Sequence, residues 1–136
     1  MHTYDIQLRR TDIDAQNHVN NVVFAQFLDD ARTNLLEGHA SSGTPWRVVV
    51  AGQRLSYRMP LIFRTTPVAV TSVVERVGTT SFTLTHEIRD GEYLYLSATS
   101  TLVAIADSTE SDTGAAPRPL TDSEREYLMT LAAPRG

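Results

Sequence analysis

Residues 10–37 read Arg10-Thr-Asp12-Ile-Asp14-Ala-Gln-Asn17-His18-Val-Asn20-Asn21-Val-Val-Phe24-Ala-Gln-Phe27-Leu28-Asp29-Asp30-Ala31-Arg32-Thr-Asn-Leu35-Leu-Glu37, and the pattern changes partway through. Thr11 to Asn21 is dense in Asp and Asn, the side chains of turns and helix caps. From Val22 to about Glu37, Val23, Phe24, Phe27, Leu28, Ala31 and Leu35 recur at three- and four-residue steps, which is one apolar stripe of a helix. Gln26, Asp29, Asp30 and Arg32 fall mostly off that stripe, and Asp29 with Arg32 makes an i,i+3 ion pair of little energetic weight. The stripe is wide and strongly apolar for so short a chain, so this helix is expected at the centre of the core. Gly38 is its expected C-terminal stop.

Upstream, Thr3 to Arg10 alternates, with Tyr4, Ile6 and Leu8 on one side: a half-buried strand. Downstream, His39 to Pro45 reads as loop. Four runs rich in Val, Thr, Tyr and Leu follow, Trp46–Met59, Pro67–Val77, Ser81–Arg89 and Tyr93–Ala106, and are expected as strands. Val77-Gly-Thr-Thr80 and Asp90-Gly91 separate the last three. Asp-Gly is a strong hairpin signal because both residues tolerate positive φ, so these three strands are expected as an antiparallel meander. Residues 107–120 hold little to bury and are expected as a flexible connection. Thr121-Asp-Ser-Glu124 is a capping box that opens a short helix over 121–133. The order β–α–β–β–β–β–α specifies an α+β domain over residues 1–136, with one long helix against about five antiparallel strands.

The composition removes several function classes. With 136 residues, 41% of them hydrophobic, the chain fits one soluble domain with a real core. There are no cysteines, which excludes disulfides, thiolate metal sites and a cysteine nucleophile. A net charge of −4 argues against nucleic-acid binding. No apolar run is long enough to span a bilayer and the N-terminus lacks a signal-peptide pattern, so no membrane partner and a cytoplasmic location are expected. All twelve basic residues are arginine, which excludes a lysine Schiff base. That bias fits coding preference, or arginines that grip phosphates through their forked geometry. His2, His39 and His86 share no metal-ligand spacing, and no metal is expected.

The residues Asp12-x-Asp14-x-x-Asn17-His18-Val-Asn20-Asn21-x-x-Phe24, followed by Asp29-x-Ala31-Arg32, resemble the signature of the hotdog-fold acyl-CoA thioesterases, in particular the 4-hydroxybenzoyl-CoA thioesterase-like branch. Those proteins carry D-x-D-x-x-G-H-V-N-N-x-x-Y and then E-x-A-R. The likeness in element order covers nearly the whole chain. Two positions depart from the pattern. Asn17 replaces a glycine, and Asn is the side chain best able to do so where positive φ is required. Phe24 replaces a tyrosine and so lacks its hydroxyl.

The resemblance implies a hotdog fold with the sheet wrapped around the central helix. It implies an acyl-CoA substrate, with a carrier-protein thioester beside it, and a homodimer or homotetramer with the acyl pocket between subunits. No cofactor is implied. The chemistry requires an attacking water or carboxylate and a stabilised oxyanion. Amides that open a helix have no intrahelical partners and carry the positive end of its dipole, and one well-placed donor lowers the barrier by ~3–4 kcal/mol. The second acid, Asp14, is then the expected nucleophile or general base, with Asn21 near the oxyanion amide. Asp12 is expected as a structural partner, for Arg10. His18 is expected to position the loop or to activate water, and Asn20 to cap the helix. Asn17, Asn20 and Phe24 are the expected substrate contacts. Among Arg54, Arg58 and Arg64, the candidates for coenzyme phosphates, Arg58 and Arg64 are favoured. Two other readings share the fold: a non-catalytic acyl-CoA-binding module, and an enoyl-CoA hydratase or dehydratase. The latter needs D-x-N-P-x-H, whereas His18 follows Asp14 by four residues with no proline between them.

Overall fold

The computed structural model describes residues 1–40, 46–106 and 116–132. Its elements are β1 (His2–Ile6), a short 3-10 turn (Arg10–Asp12), α1 (Asn21–Ala40), β2 (Val48–Tyr57), β3 (Val68–Val77), β4 (Ser81–Asp90), β5 (Tyr93–Ala104) and α2 (Asp122–Thr130). All strand pairs are antiparallel and the sheet order is β1-β3-β4-β5-β2. The meander β3–β4–β5 forms the middle, as the turn signals require. α1 carries the chain from one edge strand, β1, to the other, β2.

Strand alternation gives the sheet two faces. Val68, Val70 and Val74 of β3, Phe82, Leu84 and Ile88 of β4, and Leu96, Ala98, Leu102 and Ala104 of β5 are buried toward α1. The helix answers with Val23, Phe24, Phe27, Leu28, Ala31 and Leu35, all buried. The outer face is half-exposed and carries Thr71, Val73, Thr85, Glu87, Ser97 and Thr99. The arrangement is the hotdog fold.

Four local expectations need correction. The helix does not stop at Gly38 but runs on to Ala40. Gly38 is there because α2 packs against it: a Cβ would overlap Tyr127 Oη. The β4–β5 turn is Gly91-Glu92 rather than Asp90-Gly91, since Asp90 pairs with Tyr93 and positive φ falls on Gly91 alone (58°). β1 ends at Ile6, before the 3-10 turn that closes on Asp12. Of the expected flexible connection 107–120, residues 107–115 lie outside the described residues, while 116–120 is tied to the sheet. Ala106 N–H donates to Ala116 O (2.8 Å), and the amides of Arg118 and Leu120 donate to Ala104 and Thr79 carbonyls (2.9 Å each). Beyond it, the capping box forms as read, with Glu124 N–H on Thr121 Oγ1 and Thr121 N–H on Glu124 Oε1.

Arg32 is also buried, though its position lies off the apolar stripe. It ends a polar chain that crosses four strands beneath α1. Arg32 Nη1 donates to Gln53 Oε1 (2.5 Å) and Ser100 Oγ (3.2 Å), and Ser100 donates to Gln53 Oε1 (3.2 Å). His86 stands between Ser100 (3.1 Å from Nε2) and Ser72 (2.7 Å from Nδ1). Ser100 spends its only proton on Gln53, so Nε2 carries the imidazole hydrogen and Nδ1 accepts from Ser72. Burial, and then the charges of Arg32 and His2, push His86 down to about 4, so it is neutral at pH 7.

Candidate active site

The segment between the 3-10 turn and α1 is a closed loop held by its own polar groups. Asp14 Oδ1 accepts from Gln16 N–H (2.9 Å) and His18 N–H (3.1 Å), while Asp14 N–H donates to His18 O (2.8 Å). Hydrogen bonds from the amides of His18 and then Gln16 hold the Asp14 carboxyl below its usual range, so it is a carboxylate at neutral pH. Oδ2 has no partner among the described residues. Asn17 sits at the tip with φ 65°, the one non-glycine residue in the left-handed region among those described. Its role is therefore the glycine-like backbone turn that brings His18 N–H back to Asp14.

Asp12 anchors the loop from below. It is buried, accepts from Arg9 N–H (2.8 Å) and forms an ion pair with the Arg9 guanidinium (2.9 Å), so its partner is Arg9 and not Arg10. Arg10 lies instead over the Phe63 ring, 4.3 Å from its centroid. Val19 N–H donates to Leu61 O (2.7 Å) and Asn20 N–H to Asp12 O (2.8 Å), which fixes where α1 begins. Asn20 Oδ1 accepts from Val22 N–H (3.1 Å) and its carbonyl from Val23 N–H (2.9 Å). Asn20 thus occupies the amides of the second and third helical residues. The amide of Asn21, the first, has no acceptor among the described residues.

These groups converge on one open cavity of about 400 Å³, whose wall includes Asp14, His18, Asn20, Asn21, Phe24 and Arg58. Phe24 is buried, edge-on to Phe27 (6.1 Å between centroids) and tilted against Tyr57 (5.8 Å). Arg58 donates from Nε to Ser97 Oγ (3.2 Å), and its two terminal nitrogens have no partner among the described residues. A carboxylate, an unpaired helix-opening amide and a guanidinium with two unpaired terminal nitrogens therefore share one pocket. Such a pocket can polarise a carbonyl and attack it.

The family model of the thioesterase-like superfamily matches residues 8–122. The chain belongs to that superfamily. Among solved structures, a predicted thioesterase of Bacillus stearothermophilus superposes with TM-score 0.85 at 23% identity, covering 99% of this chain and 98% of the other. YbaW, a probable thioesterase of Escherichia coli, gives 0.76 at 24% identity, covering 98% and 100%. A Thermus thermophilus thioesterase complexed with coenzyme A and zinc gives 0.72 at 23%, covering 95% and 92%. No curated protein matches the chain.

Within this thioesterase-like frame, Asp14, His18, Asn20, Asn21, Phe24 and Arg58 are brought together, and two expected residues are not. Asn17 shapes the loop but is not part of the cavity wall. Arg64 is committed elsewhere: its guanidinium pairs with Asp90 and donates to the carbonyls of Thr66 (3.1 Å) and Pro67 (2.6 Å). Five wall residues were not anticipated, Gln16, Val19, Tyr57, Met59 and Pro60. Tyr57 supplies a hydroxyl beside the helix start, donating to Asn21 O (3.2 Å). The only signal for it was an aromatic residue at the end of a strand run, which does not say where that strand end lies. No helix among the described residues is long and apolar enough to cross a membrane.

Proposed function

We propose that the protein hydrolyses acyl thioesters of coenzyme A, with Asp14 as the reacting acid. The observation that carries the reading is the juxtaposition of an ionised Asp14 and the unpaired Asn21 amide on one cavity at the start of α1. Asp14 Oδ1 is occupied by two backbone donors, so Oδ2 is the oxygen available for chemistry. In the nucleophilic route Oδ2 attacks the carbonyl, the thiolate leaves and takes up a proton, and water cleaves the resulting anhydride. In the general-base route Oδ2 takes a proton from the attacking water, and the proton passes to the leaving thiolate. In both, the Asn21 amide stabilises the oxyanion, strengthened by the positive end of α1. His18 and Asn20 hold the acid and the amide in register, and Phe24 forms the apolar floor. The reaction needs water but no metal or organic cofactor. A carrier-protein thioester presents the same reacting group and is the second substrate form of the same reading.

The working unit is a homo-oligomer, a dimer or a dimer of dimers. β2 supports this, because it is a sheet edge ten residues long with seven of them exposed, Val49 and Val50 among them. An uncovered edge of that length invites pairing with a second strand. β2 also ends at the cavity, so a second copy along it stands beside the site.

Thiol release from a panel of acyl-CoAs, in parallel with enoyl-CoA hydration, tests the reading. Release of free thiol with at least one acyl group is expected. Binding of acyl-CoA without turnover would make the protein a sensor, and hydration without thiol release would make it a hydratase.

A further inference from the structure

Arg58 lines a second cavity besides that of Asp14. This one, of about 510 Å³, lies on the outer face of the sheet and is walled by Arg54, Ser56, Arg58, Thr85, Ser97 and Thr99 among others. Arg54, Ser56 and Arg58 share that face through strand alternation, and the β2–β5 register sets Arg54 opposite Thr99 and Ser56 opposite Ser97. The Arg54 guanidinium has no partner among the described residues, and Arg58 spends only Nε, on Ser97. Glu87 is the carboxylate in this groove, and both its oxygens are taken by Arg89 (3.2 Å each). Two uncompensated guanidinium groups therefore stand in a row of hydroxyls, which suits phosphates joined to an amide-rich chain.

A third groove adjoining the Asp14 cavity has another character. Met59 and Pro60 are shared with this groove of about 370 Å³, which also takes in Leu61, Ile62, Tyr93 and Tyr95, and whose Arg64 is already paired with Asp90. The Asp14 cavity thus adjoins a mostly apolar groove through Met59 and Pro60 and a cationic, hydroxyl-lined one through Arg58. A thioester of a phosphorylated carrier has the same polarity about its sulfur, with the acyl group on one side and a polar anionic arm on the other.

We infer that the phosphate-bearing arm of the thiol carrier lies along the outer face of the sheet, held by Arg54 and Arg58, and that the acyl group runs toward Met59 and Tyr95. The inference rests on the thioester reading above, and it assigns the phosphates to Arg54 rather than to Arg64.

Calorimetric titration of the wild-type protein and of Arg54→Ala with coenzyme A, 4′-phosphopantetheine and pantetheine tests it. Arg54 is exposed and unpartnered, so the substitution removes a ligand contact and no internal contact. Wild type is expected to bind coenzyme A at least roughly tenfold more tightly than pantetheine, the gain of one or more charge-assisted hydrogen bonds. Arg54→Ala removes most of that gain, and Arg54→Lys restores part of it. A full gain with 4′-phosphopantetheine alone places the inner phosphate in the groove, and a gain that requires the nucleotide places the outer ones there. If Arg54→Ala binds coenzyme A as tightly as wild type while thiol release proceeds, the groove assignment is wrong and the hydrolase reading stands. If wild type binds none of the three and hydrolyses no thioester, the hydrolase reading fails and takes the groove with it.

Discussion

At the scale of single residues, two titratable groups have opposite fates. Asp14 is held ionised by its own loop, so activity that depends on its carboxylate persists until the pH falls below the ordinary aspartate range. His86 is held neutral at the core, with its folded value at about 4. In the unfolded chain a histidine takes up its proton near pH 6.5, so acid favours the unfolded state. Stability is complete above that pH and falls by about 1.4 kcal/mol per pH unit down to pH 4, about 3 kcal/mol in all. Thermal melts between pH 7 and pH 4 are expected to show this slope in wild type and to lose most of it in His86→Gln. An unchanged slope in the variant would assign the acid sensitivity to another group. Acid inactivation in this range therefore reports unfolding rather than Asp14. At this scale much was legible. The spacing of Asp14, His18, Asn20 and Asn21 lies within one loop, and local hydrogen bonding dictates its shape, including positive φ at Asn17. Tyr57 lies more than forty positions away, and no local pattern connects it to Asp14; Arg58, equally distant, was expected at the substrate only through the family likeness. The Arg32–His86 chain was hidden for a similar reason, since Ser72, His86 and Ser100 are isolated polar residues at buried positions of three different strands.

At the scale of elements, α1 and α2 are coupled through Gly38. In an exposed helix interior, glycine to alanine gains about 1 kcal/mol. Here the added methyl overlaps Tyr127 Oη, and that hydroxyl is pinned by its bond to Leu35 O (2.5 Å). Gly38→Ala is expected to destabilise the protein by about 1–3 kcal/mol, the usual cost of overpacking. In the Tyr127→Phe background the obstructing oxygen is gone and the nearest ring carbon stands at 3.3 Å, so the same change is expected to cost clearly less. Denaturant melts of the four proteins in this cycle measure the coupling, and additive effects would rule out the contact. The sequence marked Gly38 as special but for the wrong reason: a glycine near the end of a periodic run fits a helix stop and a close helix–helix approach equally well. Strand positions were legible to within a few residues because alternation is strong in β3, β4 and β5. The β4–β5 turn was displaced by one residue because cross-strand pairing, and not the Asp-Gly dipeptide, sets which residues are central.

At the scale of the whole molecule, the proposed oligomer rests on the uncovered sheet edge at β2. Sedimentation equilibrium is expected to give a multiple of the 15.1 kDa chain mass. Val49 is an exposed apolar residue of that edge strand, so Val49→Lys leaves the core untouched and blunts the edge with a charge. That variant is expected to shift toward monomer and to lose activity with it; a wild-type monomer would contradict the oligomeric site. None of this was legible from the chain, because strand order is a property of tertiary packing and only the family likeness pointed to subunits. What the sequence did carry to this scale was the chemistry of one loop. Steady-state thiol release by Asp14→Asn, on the best acyl-CoA substrate of the wild type, tests that chemistry most directly. A loss of roughly a hundredfold or more in kcat, with the melting temperature and coenzyme A affinity retained, is the expected result. Equal rates in the two proteins would contradict the assignment of Asp14.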